Sequence, residues 1–271
     1  MFLTKQAIRK IIILSAVLFG LGTLLVLLGV LSNVFDTPSN YLFVFGGFEY
    51  LFCVFYIFTG RYSEGKAKLI NSATKLIRNE LKPAEFLMEY NAIRFSNDLV
   101  VNKPDFDVLQ RVATAYDLLD DEENALLTVE QMIATSKGKK KNRAYLLKAS
   151  LLYSNGKTEE AEALFFGVQK QKLDVISKSL CDTILKGDRA LVLGDYKTAE
   201  AFFLKSLTQS FPKADKLMTL IYYHKLGEIY EKTKEPQKAL YYYQYCIENG
   251  GATAIRRNAA ESIARLSNPA V

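Results

Sequence analysis

Histidine occurs once in these 271 residues and cysteine three times. A single histidine leaves imidazole metal sites and catalytic pairs almost nothing to work with. Cys53, Cys181 and Cys246 are odd in number and far apart, which excludes a disulfide framework and suits a reducing compartment. The chain has no glycine-rich phosphate loop, no H-E-x-x-H, no paired-cysteine motif and no G-x-S-x-G. Nucleotide hydrolysis, zinc proteolysis and serine-hydrolase chemistry therefore lack their signatures, and the chain reads as a non-enzyme without metal or cofactor.

A basic nucleic-acid-binding face is also lacking. Of the formal charge of +6, the first ten residues carry +3, residues 11–60 carry −2, Arg61 to Lys82 carry +4, and everything after carries +1. The charge flanks the apolar part of the chain, and the rest is almost neutral.

The hydrophobic excess sits before residue 61. Ile11 to Leu31 is an apolar run of 21 residues interrupted only by Ser15 and Thr23, enough at about 1.5 Å per residue to span a hydrocarbon core of about 30 Å. It is too long for a signal-peptide core and has no small-x-small cleavage site. A second run, Tyr41 to Thr59, follows the polar segment Ser32 to Asn40. The expectation is a two-helix transmembrane hairpin over 1–60, with spans at about 11–31 and 41–59. Lys5, Arg9 and Lys10 precede it, the loop has no basic residue, and Arg61, Lys66, Lys68, Lys75, Arg78 and Lys82 follow it. By the positive-inside rule both ends face the cytoplasm.

Glu49 near the middle of the second span costs on the order of a few kcal/mol unless paired or protonated. Thr23 is its closest polar candidate on the first span. Either Glu49 is a protonated carboxyl bonded inside the hairpin, or it serves a proton or ion path or a partner's membrane helix.

Residues 61–104 form a basic junction. Glu64 to Leu81 has a helical stripe of Ile70, Ala73, Leu76 or Ile77, and Leu81, and Pro83 suits the first turn of a second helix to about Phe95. Two readings stand: a degenerate first helix pair that caps the helices after residue 105, or a helix lying on anionic lipid through Lys66, Lys68, Lys75 and Arg78.

From residue 105 a pattern recurs. In Leu220 to Thr253, Tyr223, Leu226, Gly227 and Tyr230 make one helical stripe, with Gly227 small enough for a second backbone to come close. After the polar turn Lys232 to Pro236, Ala239, Tyr243 and Cys246 make another. Ala125, Ala161, Ala199 and Ala239 stand in one register, 36, 38 and 40 residues apart, each followed four residues later by Val129, Phe165, Phe203 or Tyr243. The preceding helices offer Leu109, Val112, Ala113 and Tyr116, then Tyr145, Ala149 and Leu152, then the weaker Thr183, Gly187 and Ala190. Tyr223 and Tyr243 are expected in the core, and Ile255, Ala259, Ile263 and Leu266 on a capping helix within 254–271. Lys137 to Lys141, with Arg143 beyond, is the dense basic cluster of this region, at a turn between helix pairs, and reads as a solvated loop ahead of a lipid or nucleic-acid patch.

Over 105–253 this order of large, Leu, small, Tyr, Ala, aromatic and small residues resembles the tetratricopeptide repeat family, whose period is about 34. The departures are Tyr223 for Trp, Cys246 for Ala and Gly251 where Pro is common. The longer spacings place extra residues in the inter-repeat turns. The resemblance implies an all-α fold, a right-handed solenoid whose first helices line a groove for a protein segment. The matching positions are Gln110, Arg111, Thr114 and Asp117; Arg143, Leu146, Ser150 and Tyr153; Ile184, Asp188 and Leu191; His224, Lys225, Glu228 and Glu231. The Lys/Asn clamp that some members use for a C-terminal carboxylate is not reproduced. The implied function is a membrane-anchored, cytoplasm-facing adaptor or scaffold for protein partners. The alternative is an accessory subunit of a membrane transport or secretion complex in which Glu49 works within the membrane.

Overall fold

Among the described residues, five aspartates start helices. The side chains of Asp105, Asp121, Asp174, Asp195 and Asp215 each accept a hydrogen bond from a backbone N–H two or three residues on, satisfying donors that a helix start otherwise leaves open. The computed structural model describes residues 66–95, 105–171, 173–209 and 215–267. The expected hairpin, with Thr23 and Glu49, lies outside them. Among the described residues there is no strand, and no helix is long and apolar enough to cross a membrane. This part of the chain is all-α.

The helices run in antiparallel pairs: α1 (66–79) with α2 (Pro83–Phe95), α3 (Phe106–Asp117) with α4 (Glu122–Thr135), and α5 (Gly138–Ser154) with α6 (Thr158–Gln169). Then come α7 (175–192) with α8 (Tyr196–Gln209), α9 (Lys216–Lys232) with α10 (Pro236–Asn249), and the single α11 (Ala254–Ser267). Pro83 and Pro236 stand at the first position of their helices, where no N–H is needed.

α3, α5, α7 and α9 end in the same way. The N–H groups of Asp121, Lys157, Asp195 and Glu235 donate to the carbonyls of Tyr116, Leu152, Ala190 and Tyr230 at 3.0, 2.9, 2.8 and 2.8 Å. The residue before each donor is left-handed: Asp120 at φ 65°, Gly156 at 72°, Gly194 at 80° and Lys234 at 61°. This six-residue closure reverses the chain after each first helix and delivers Ala125, Ala161, Ala199 and Ala239 to the helix crossing. All four alanines are buried, as are Val129, Phe165, Phe203 and Tyr243. Repetition is thus visible in backbone geometry as well as in sequence.

Gly227 is needed for a different neighbour than the sequence implied. A Cβ there would lie 2.6 Å from Cε1 of Tyr243, so the glycine admits an aromatic ring instead of a second backbone. Tyr243 is core, whereas Tyr223 is half-buried, stacked on Tyr245 with ring centres 3.9 Å apart. The extra residues of the first spacing do not lengthen a turn either: only Ser136 and Lys137 separate α4 from α5, and the basic run 138–141 is already helix.

α1 packs with its apolar face inward. Leu69, Ala73 and Ile77 share one core with Val108 and Val112 of α3, Leu217 and Leu220 of α9, and Ala259 of α11. Its ends are tied by charge, Lys66 to Asp105 at 2.9 Å and Arg78 to Asp215 at 2.9 Å. The last connection closes on the first: Ala252 N–H donates to Leu81 O at 2.9 Å, and Ala254 N–H to Leu118 O at 2.7 Å. The connection before α11 therefore meets the connections after α1 and α3.

Candidate partner-binding concavity

Polar side chains from four different helices meet where α3, α5, α7 and α9 face one another. Ser150 of α5 donates from Oγ to Oδ2 of Asp188 on α7 at 2.7 Å. On α9, Lys225 donates to Glu228 Oε2 at 3.2 Å, and Nδ1 of His224 lies 3.3 Å from Glu228 Oε1. Asp188 owes its place to a local irregularity: Ile184–Asp188 is π-helical, an extra residue that rotates the following turn. A Cβ on Gly187 would lie 3.1 Å from Phe203 and 3.2 Å from Phe202, so the widened turn is packed tightly behind.

The charges organise around Lys225. Burial works against its ionisation, but Glu228 and Asp188 outweigh it and hold the ammonium above its ordinary range. Burial likewise opposes the Glu228 carboxylate, yet Lys225 and His224 keep it below the usual value. Burial raises Asp188 against the pull of Lys225 and Ser150, and pushes Asp117 up to about 6, with Lys225 opposing and Asp188 and Asp120 adding. Burial lowers His224, which leaves it neutral near pH 7. Water still reaches the site, with 18% of the Lys225 and 32% of the Glu228 side chain accessible, and Asp117 is exposed. Water confined among protein atoms screens less than bulk solvent, so the four charges feel one another strongly.

Beside this cluster lies a cavity of about 450 Å³. Its walls include Asp188 and Leu191 of α7, Tyr196 of α8, and His224, Lys225, Glu228, Glu231 and Lys232 of α9. α11 completes it with Asn258, Ser262 and Arg265, which the sequence pattern alone did not single out. Their spacing of four and three residues is a helical stripe and was the available signal. Glu231 joins three helices here, accepting from Tyr243 Oη at 2.8 Å and from Arg265 at 2.8 Å.

Of the expected lining residues, Asp188, Leu191, His224, Lys225 and Glu228 come together at this cavity. Leu146 and Ile184 do not offer surface, and this corrects the expectation from sequence: both are fully buried. Leu146 and Ile184 belong to the core that joins α5, α6 and α7. Tyr153 backs the cavity wall with its hydroxyl donated to Glu162 at 2.9 Å. Arg143 is committed to an ion pair with Asp174, the cap of α7. Thr114 donates to Gln110 O at 2.9 Å and Arg111 to Asp107 O at 2.8 Å, both within α3 and away from the cavity. Ser150 reaches the site only through Asp188.

The side chains at the cavity are largely satisfied by one another, through bonds that a polar ligand could exchange. This suits recognition of a segment carrying both charge signs and backbone donors. No protein-family model matches the chain, and neither a curated protein nor a solved structure shows significant similarity to it.

Proposed function

We propose that this chain is a membrane-anchored adaptor: the apolar runs 11–31 and 41–59 hold it in a membrane, and a tetratricopeptide-like superhelix over 105–253 captures a protein segment at the cytoplasmic face. The observation that carries this reading is the fourfold repetition of one turn, ending at Asp121, Lys157, Asp195 and Glu235. A repeated turn aims successive first helices the same way, and α7 and α9 here contribute to a concavity rich in polar groups. The anchor is supported by the length of the two apolar runs and by lysines and arginines confined to their outer flanks. A partner with both basic and acidic side chains fits the mixed wall of Asp188, Glu228, Lys225 and Arg265.

The test is a cross-linking pull-down of the full chain from intact membranes, compared with a Ser154→Arg, Asn258→Arg double variant. Both positions line the cavity and neither is fully buried, so longer side chains can be accommodated. Loss of one prominent partner, with helicity and membrane retention unchanged, is the expected outcome. Retention of every partner refutes capture at this cavity.

A further inference from the structure

α5 begins against its own electrostatics. The positive end of a helix dipole favours acidic residues, and the starts of α3, α4, α7, α8 and α9 each have an aspartate cap. The start of α5 is Lys137, Gly138, Lys139, Lys140 and Lys141, with no side-chain cap and no acid in its first turn. Lys137, Lys139 and Lys140 are exposed, and among the described residues none of the four lysines forms an ion pair. Lys140 and Lys141 lie over the rings of Phe106 and Tyr145, and Lys140 also feels Asp105, but no carboxylate among the described residues pairs directly with any of the four, which leaves this helix start open to an external anion.

Their position says which. Lys140 lies over the ring of Phe106, 5.6 Å from its centre, at the start of α3. The neighbouring acids Asp105 and Asp107 are occupied by Lys66, at 2.9 and 3.4 Å. Lys66 follows the second apolar run, which ends at Thr59, by seven residues. Seven extended residues reach at most about 25 Å. The lysine patch thus adjoins Lys66, where the described residues begin, seven residues after Thr59 in the sequence.

We propose that Lys137, Lys139, Lys140 and Lys141, beside Lys66, form a contact surface for the anionic headgroups of the membrane that anchors the chain. The proposal rests on the anchored reading above. It also moves the lipid contact from where the sequence put it: Lys66 and Arg78 are held by Asp105 and Asp215, and Lys68 and Lys75 have Glu89 and Glu80 at 3.8 and 3.7 Å. Single-stranded nucleic acid is the less suitable occupant, because it needs open aromatic faces and Phe106 is only 6% exposed. A phospholipid surface needs only clustered, mobile ammonium groups, each worth about a fivefold gain in association.

The experiment uses the full chain reconstituted into liposomes of phosphatidylcholine alone or with one part in three of phosphatidylserine. Acetylation of each lysine by a water-soluble reagent is followed by mass spectrometry, with Lys197 and Lys234 as references. The expected result is slowing of Lys137, Lys139 and Lys140 by fivefold or more with phosphatidylserine, reversed by high salt, and unchanged reference lysines. A Lys139→Gln, Lys140→Gln double variant should lose the protection of Lys137 while keeping the helicity of the parent, which separates loss of charge from loss of folding. Equal rates in both liposomes overturn the proposal, as does protection by added polyuridylate but not by phosphatidylserine. Alkaline carbonate extraction separates the two readings. If the chain is extracted, the anchor fails, and the patch stands only if the parent floats with phosphatidylserine vesicles and the double variant does not; otherwise the patch falls as well.

Discussion

The carbonyl oxygen of Leu81 accepts a hydrogen bond from the backbone N–H of Ala252 at 2.9 Å, fastening the turn between α1 and α2 to the connection between α10 and α11. The two strands of backbone approach so closely that only glycine fits between them. A Cβ on Gly251 would stand 2.7 Å from Leu81 Cβ and 2.8 Å from Leu81 O, at a φ of 58° that side chains disfavour. Gly251→Ala therefore combines a steric overlap with a left-handed backbone and should cost about 2 to 4 kcal/mol. Thermal unfolding followed by circular dichroism should show a drop of about 5 to 15 °C. Faster hydrogen exchange at Ala252 and Ala254 would locate the damage at the closure, whereas an unchanged melting temperature would mean the approach is not rigid.

Gly227 and Gly167 make a matched pair in opposite senses. A methyl group on Gly227 meets the buried ring of Tyr243 at 2.6 Å, while one on Gly167 meets nothing within 4 Å. Both lie inside helices, α9 and α6, where alanine is intrinsically favoured by up to about 1 kcal/mol. Gly227→Ala should lose about 1 to 3 kcal/mol through overpacking, and Gly167→Ala should gain a few tenths to about 1. Urea titrations of the two variants would settle the comparison; a loss at Gly167 equal to that at Gly227 would remove the packing explanation.

The four equivalent turns carry two glycines and two residues with side chains at the same left-handed position. Lys234 at φ 61° is exposed, so its side chain has no burial to offset the conformation. Lys234→Gly should stabilise by up to about 1 kcal/mol, and Gly156→Ala, at φ 72° in open space, should cost about the same. Melting temperatures moving in opposite directions would confirm that the turns share one geometry.

The alternation of buried alanine and bulky residue was legible because a helix crossing needs a small residue wherever it recurs. The turns were only half legible, since Asp120 and Lys234 do not advertise a positive φ as Gly156 and Gly194 do. Helical spacing gave the direction in which Leu146 and Ile184 point around their helices, but not how near the next helix comes, and that nearness buried both. The stripe on α1 reads alike whether lipid or protein covers it, and the protein does. Asn258, Ser262 and Arg265 are not legible as lining residues from sequence, because the apolar stripe of α11 marks its other face.

Asp117 offers a test of the concavity's electrostatics that needs no partner. Its carboxyl is raised from 3.8 to about 6, chiefly because the protein packed around it displaces part of the surrounding water although the residue keeps an open surface, with Asp188 and Asp120 adding to the shift and Lys225 opposing it. A raised acid stabilises the fold while protonated: the contribution is complete below about pH 4, where the unfolded chain is protonated too, and is lost as pH rises through 6. Unscreened, two units would correspond to about 3 kcal/mol; because water reaches this exposed carboxylate, about 1 kcal/mol is the expected effect. Asp117→Asn keeps the shape and removes the charge, so it should melt about 2 to 4 °C above the parent at pH 7.5 and together with it at pH 4. Using the difference between the two proteins cancels the carboxylates with opposite behaviour, such as Glu228, which Lys225 holds ionised. A difference that does not change with pH would mean that the charges of α3, α7 and α9 do not share one concavity, and the partner-binding reading would lose its electrostatic basis.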